Sequence, residues 1–183
     1  LTHAQSGHAQ WIRLRGPNGG GRRALMNAFI EDLQNTGDDI LVWRVACQEA
    51  ENGLQWLMRM YGSLMAALKS DVLLSAKVRM RIHEQIPKHP ERTQQWLNHF
   101  IQSMDEVRAT SENGDIKLTV SKDNPLLALT EIAWAISTCI PVVLDLQKSS
   151  VVQSLGPALF LEALQIKSES NPSHLFVCLY DDV

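Results

Sequence analysis

The spacing of apolar and polar residues along the chain predicts helices and strands that alternate. Apolar residues recur every three to four positions in several long stretches, which is the period of a helix with one buried face. The predicted helices cover residues 22–34, 52–69, 71–86, 91–109, 125–138 and 151–167. Short apolar or alternating runs, as expected for strands, occupy residues 11–15, 40–46, 140–145 and 175–180. This alternation indicates an α/β fold with a mainly parallel sheet that helices cover on both faces.

Two segments depart from the simple alternation. Residues 52–112 are too long for one crossover between strands, so we expect a helical insertion that forms an extra layer on the sheet. Residues 110–124 are polar and rich in turn-forming residues, with an alternating patch at Ile116, Leu118 and Val120. This second segment predicts either a small hairpin arm or a disordered insert.

Composition and charge narrow the classes of partner. The chain has 183 residues, 45% of them hydrophobic and 20% charged, which is typical of one globular domain. The net charge of −3 provides no basic field for nucleic acid, which we do not expect as a partner of this domain. No apolar run approaches the roughly 18 residues that a membrane-spanning helix needs, so no membrane association is expected.

The cysteines and the chain ends suggest a cellular context. Cys47, Cys139 and Cys178 are odd in number and widely spaced, which favours free buried thiols over disulfides or a metal site. We therefore predict a reducing, cytoplasmic location. The chain lacks an initiator Met, and its final Asp181-Asp182-Val183 follows directly on an apolar run, so we expect a fragment of a longer protein.

A glycine-rich loop, GPNGGG, joins the first predicted strand to the first predicted helix. Backbone N–H groups at a helix N-terminus point toward an anion, and glycines allow the backbone to approach it closely. The loop and the two arginines after it are therefore the predicted phosphate-binding or nucleotide-binding residues. They are Gly16, Asn18, Gly19, Gly20, Gly21, Arg22 and Arg23.

Three stretches resemble the P-loop ATPases of the AAA and STAND types. WIRLRGPNGGGRRALMNAFIEDL is similar to their Walker A region, and IPVVLDLQ is similar to their Walker B strand, with Asp145 as its acid. SHLFVCLYDD lies where these families place the strand that ends at the sensor position. The resemblance implies a three-layer fold with strand order 1-4-3-2, in which residues 1–183 form a single domain without the family's helical lid.

The departures from the family pattern concern hydrolysis. Arg22 stands in place of the lysine that reaches the phosphates, and Arg23 in place of the hydroxyl that holds Mg²⁺. Asp145 remains as a possible metal-side carboxylate, but Leu146 replaces the acid that polarises the attacking water. Gln147 could orient a water, although a glutamine is not a general base. We therefore assign no catalytic residue and no metal ligand, and we expect hydrolysis to be absent or very slow.

These features favour a degenerate ATPase-like domain, a pseudo-ATPase that acts as a regulatory or assembly scaffold in a larger protein. Its candidate ligand is ATP or ADP, bound without strict dependence on Mg²⁺, and its partners are proteins or further copies of itself. Two other functions stay open: an active AAA or STAND ATPase that tolerates the arginines, and an unrelated α/β protein-interaction domain. In an alternative interpretation the loop binds no ligand and is only structural, because its arginines fold inward and pair with Asp145, Asp181 or Asp182.

Overall fold

Strands and helices alternate along the chain in the computed structural model, which describes residues 9–17, 20–36, 39–46, 53–109, 124–147, 155–170 and 172–182. The strands are β1 (Gln10–Gly16), β2 (Leu41–Ala46), β3 (Val142–Gln147) and β4 (Leu175–Asp182). The α-helices are α1 (Arg22–Asn35), α2 (Gly53–Ser70), α3 (Val72–Gln85), α4 (Glu91–Ala109), α5 (Pro125–Cys139) and α6 (Leu155–Ser170). A short 3₁₀ turn, Ile86–Lys88, joins α3 to α4. The predicted α/β class is confirmed. Residues 110–123 of the predicted arm or insert at 110–124, and Cys47, lie outside the described residues.

The described strands form one sheet in the order β1-β4-β3-β2, and every neighbouring pair is parallel. This order is the one that the sequence analysis predicted. Each parallel connection requires a crossover, and the helices between the strands supply it. As a result, the carboxyl ends of the strands lie along the same edge of the sheet.

Helices cover both faces of the sheet, which makes three layers. On one face, α1 is the one described helix that packs against the strands, with Met26, Ile30 and Leu33. On the other face, the larger core contains Trp43 and Leu144 from the strands together with residues from α2 to α6. Within this layer, α3 and α4 pack against α5 and α2. None of the helices in the described part of the chain is long and apolar enough to cross a membrane.

Candidate functional site

The loop after β1 turns the chain directly into the N-terminus of α1. The Gly20 N–H donates to the Pro17 carbonyl oxygen at 3.0 Å, and the Leu25 N–H donates to the Gly21 oxygen at 2.9 Å. Gly21 has a φ of 78°, in the left-handed region that favours glycine. A Cβ on Gly20 would lie only 3.0 Å from the Pro17 oxygen. Both positions therefore favour glycine. Asn18 and Gly19 lie outside the described residues.

The first turn of α1 lacks the negative charge and the side-chain cap that usually stabilise a helix N-terminus. Its N-cap residue is Gly21, which has no side chain to cap the helix, and the turn contains no acidic residue. Arg22 and Arg23 instead add two positive charges at the positive end of the helix dipole, a combination that an anion would stabilise. The Arg22 side chain lies beside the start of the loop, with its Cδ 3.9 Å from the place a Cβ on Gly16 would occupy.

Asp145 lies on the face of the sheet that α1 covers, but its ionic partner comes from β2. Arg44 and Asp145 are opposite each other in the register of the parallel β2–β3 pair. The Arg44 Nε lies 3.4 Å from the Asp145 Oδ2, and the side chains are 43% and 2% exposed, respectively. Arg44 also reaches α1, because its Nη2 donates to the Asn27 Oδ1 at 2.6 Å.

Gln147 connects this ion pair to the start of α1. Its Nε2 lies 3.5 Å from the Asp145 Oδ2, and the Arg23 Nη2 lies 3.5 Å from its Oε1. Because Asp145 and Gln147 are two residues apart on β3, both side chains are on the same face of the sheet. The five side chains of Arg23, Gln147, Asp145, Arg44 and Asn27 thus form a continuous polar chain that ties α1 to β2 and β3.

Two partners in this polar chain differ from the sequence-based expectation. The inward-folding alternative paired Arg22 or Arg23 with Asp145, whereas the structure pairs Asp145 with Arg44 and brings Arg23 to Gln147. The sequence analysis did not single out Arg44 as a site residue. The two strand sequences do contain a signal for this pair. β2 and β3 each have six residues, and the fourth is an arginine in β2 and an aspartate in β3.

Tyr180 and Cys178 on β4 complete the surroundings of Asp145, and the sequence analysis missed Tyr180 as well. Asp145 Oδ1 and the Tyr180 hydroxyl are both buried, and the hydroxyl lies beside the carboxylate. Burial, and after it the neighbouring Asp145 carboxylate, raise the pKa of the Tyr180 hydroxyl. The same two causes raise the pKa of the Cys178 thiol to about 12. Both groups therefore stay protonated at neutral pH, and Asp145 is the acidic charge that Arg44 balances.

The Mg²⁺ that the family resemblance implies does not fit these side chains. Mg²⁺ prefers oxygen ligands, whereas position 23 presents a guanidinium and Asp145 already faces the Arg44 cation. Leu146 is fully buried in the core on the opposite face of the sheet. Within the described ranges, no cluster of three or more His, Cys, Asp or Glu residues is placed to hold a metal ion. The described side chains around Asp145 therefore lack the metal-binding chemistry of a Walker site.

Comparison of the chain with protein-family models, with curated proteins and with solved structures gave no match. The likeness to P-loop ATPases consists of the order of the motifs along the chain, the strand order of the sheet and the loop at the start of α1.

Cys178 offers a test of the packing between α1 and the sheet. We expect iodoacetamide at pH 8 to leave Cys178 unmodified in the folded protein, because its thiol is buried and its pKa is raised to about 12. Peptide mass spectrometry measures the modification, and the protein in denaturant is the control. Burial also raises the pKa of the Cys139 thiol, but Cys139 is only half-buried. Cys139 should therefore react faster than Cys178. Labelling of folded Cys178 at the denatured rate would contradict this packing.

Proposed function

We propose that this chain is a degenerate P-loop-like domain that binds the phosphate groups of a nucleotide without hydrolysing them. The observation that carries the proposal is the pairing of Asp145 with Arg44 at 3.4 Å, beneath the helix that follows the glycine loop. This pairing keeps the acid where the Walker B resemblance expects it, but it gives that acid a guanidinium as its partner instead of a metal ion.

The binding half of the proposal depends on the start of α1. The loop brings the helix N-terminus to the carboxyl edge of the sheet, where ligands of open parallel sheets bind. Arg22 and Arg23 lie in the first turn and supply positive charge, and Arg23 is exposed. An anion bound here needs no metal to offset its charge, so ATP or ADP is the proposed ligand without strict dependence on Mg²⁺.

The absence of hydrolysis follows from which groups surround Asp145. Hydrolysis requires a positioned water and stabilisation of the charge that develops on the transferred phosphate. Leu146 has no proton-accepting group, and the Gln147 amide is not a base at neutral pH. The Asp145 carboxylate is neutralised by Arg44 and is 2% exposed, so it is poorly available to a water molecule or a metal ion.

A domain that binds a nucleotide without hydrolysing it can still have a regulatory effect, because the bound nucleotide can change how the domain contacts other proteins. We therefore propose a regulatory or assembly role in a larger cytoplasmic protein. The exposed apolar side chains of Val72, Leu73 and Met80 on α3 support a contact with a protein partner. The same side chains favour the second candidate, a protein-interaction domain that binds no nucleotide.

Calorimetric titration of ATP into the chain tests the proposal, with EDTA in one series and MgCl₂ in another. We expect weak binding with EDTA that falls as salt rises, since salt screens exposed charges. Phosphate release should not exceed the buffer control. Arg23→Gln should weaken binding, whereas Arg13→Gln should not, because Ile12 and Leu14 on either side of Arg13 face α1 while Arg13 itself is exposed on the other face.

Two results would contradict the proposal. Tight binding that disappears with EDTA, together with phosphate release that Asp145→Ala abolishes, would establish a working ATPase. Absence of binding heat at every salt concentration would leave the loop as a structural relic and favour the protein-interaction domain.

A further inference from the structure

We infer that the Arg44 guanidinium takes the place of a metal ion beside Asp145 and makes this site selective for polyphosphate that carries no bound Mg²⁺. The inference rests on the proposed function and adds to it the class of ligand and the residue that determines it. The mismatch between Mg²⁺ and these side chains is its starting point: the place beside Asp145 is taken by a guanidinium that belongs to the chain itself.

The register of the β2–β3 pair fixes the position of Arg44 beside Asp145. Arg44 lies opposite Asp145 in the β2–β3 pair, so the backbone ladder holds the two residues side by side. Asn27 on α1 then orients the guanidinium, accepting a hydrogen bond from its Nη2 at 2.6 Å. An arginine held from two sides loses little further freedom when it binds a ligand.

Arg44 keeps donors for a ligand. Its Nε faces Asp145 and its Nη2 faces Asn27, while its Nη1 has no partner in the described part of the chain. The side chain is 43% exposed, so Nη1 can be approached from solvent. Guanidinium donors suit phosphate oxygens, which accept two parallel hydrogen bonds.

Spacing along α1 favours two phosphates over one. Arg23 and Asn27 are four residues apart, which is about 6 Å along a helix. Arg23 and the Asn27-bound Arg44 can therefore face neighbouring phosphate groups of one chain. A polyphosphate offers more oxygens to the two guanidinium groups than a single orthophosphate does.

The charges predict how metal ions affect binding. With the Arg44–Asp145 pair neutral, the exposed Arg23 at the start of α1 leaves a positive surface for the ligand. Mg²⁺ that binds to pyrophosphate cancels part of the ligand's negative charge, so Mg²⁺ should weaken its binding to the native protein. Without Arg44, the uncompensated Asp145 repels the ligand, and Mg²⁺ between the two should then strengthen binding.

Calorimetric titration with pyrophosphate, in EDTA and in excess MgCl₂, tests this sign change. For the native chain we expect tighter binding of pyrophosphate than of orthophosphate, and at least a threefold loss of affinity when Mg²⁺ is added. Arg44→Gln should lower the affinity in EDTA at least tenfold and reverse the effect of Mg²⁺. Arg13→Gln, which removes an exposed arginine on the other face of the sheet, should behave as the native chain does.

Asp145→Asn provides an independent variant of nearly the same shape, in case Arg44→Gln does not fold. It frees Arg44 from its carboxylate, so it should tighten pyrophosphate binding in EDTA at least threefold. Weaker binding by Asp145→Asn, or an unchanged Mg²⁺ effect in folded Arg44→Gln, would overturn the inference while leaving the proposed function intact. If the native chain binds neither ATP nor pyrophosphate, the proposed function itself is wrong.

Discussion

Replacing Phe160 with alanine should lower the free energy of unfolding by about 3–5 kcal/mol, the range for removing a fully buried aromatic ring. Phe160 lies on α6, is completely buried, and contacts two tryptophans edge-to-face. Its ring centroid is 6.3 Å from that of Trp43 on β2 and 5.6 Å from that of Trp56 on α2. The ring therefore joins three elements of the larger core.

The surroundings cannot collapse easily into the space that the ring leaves. The Trp43 Nε1 donates to the Met60 carbonyl oxygen at 3.1 Å and lies 2.8 Å from the Ser63 Oγ, which holds the indole in place. The cost of a cavity depends on how far its walls can relax, so a fixed wall places the loss toward the upper end of the range.

Urea denaturation followed by circular dichroism measures this loss. The matched control is Leu159→Ala, which truncates the neighbouring side chain on the same helix, 40% exposed, and should change stability by less than about 1 kcal/mol. Equal losses for the two variants would contradict the described orientation of α6.

The second large effect concerns the buried ion pair. Arg44→Met should lower the free energy of unfolding by about 2–4 kcal/mol, because it leaves Asp145 buried without its counter-charge; the loss is smaller than for a fully buried pair, since water screens the 43% exposed Arg44 side chain. The Asp145 carboxylate would then retain only uncharged polar neighbours among those described around it, namely Gln147 at 3.5 Å and the protonated Tyr180 and Cys178. The double variant Arg44→Met/Asp145→Asn should be more stable than the sum of the two single losses predicts, since removing the charge removes the penalty.

A surface pair supplies the control for this experiment. Arg79 and Asp105 are closer, at 2.6 Å, but their side chains are 39% and 51% exposed. Arg79→Met should change stability by less than about 1 kcal/mol, because water already solvates both charges. A loss as large as that of Arg44→Met would show that burial of Asp145 is not what makes its pair important.

The sequence by itself determined which segments become helices and which become strands. Apolar spacing is a local property, so the predicted 91–109 helix and 40–46 strand agree closely with α4 and β2. The glycine loop could likewise be placed between β1 and α1, because the left-handed turn at Gly21 depends on that residue alone. The strand order could be expected only through the family resemblance, since apolar spacing does not say which strands become neighbours.

Only the tertiary structure decided the partners of Asp145. Arg44 is far from Asp145 along the chain, and their contact arises because β2 and β3 are neighbours in one particular register. A shift by one residue would move either side chain to the opposite face of the sheet and break the pair. Asn27 and Tyr180 join the site for the same reason, from a helix and a third strand packed around this point. Arg44 and Asp145 are not distinctive in the sequence, and they meet only because β2 and β3 pair side by side. Which strands pair depends on the packing of the whole domain rather than on local residue patterns.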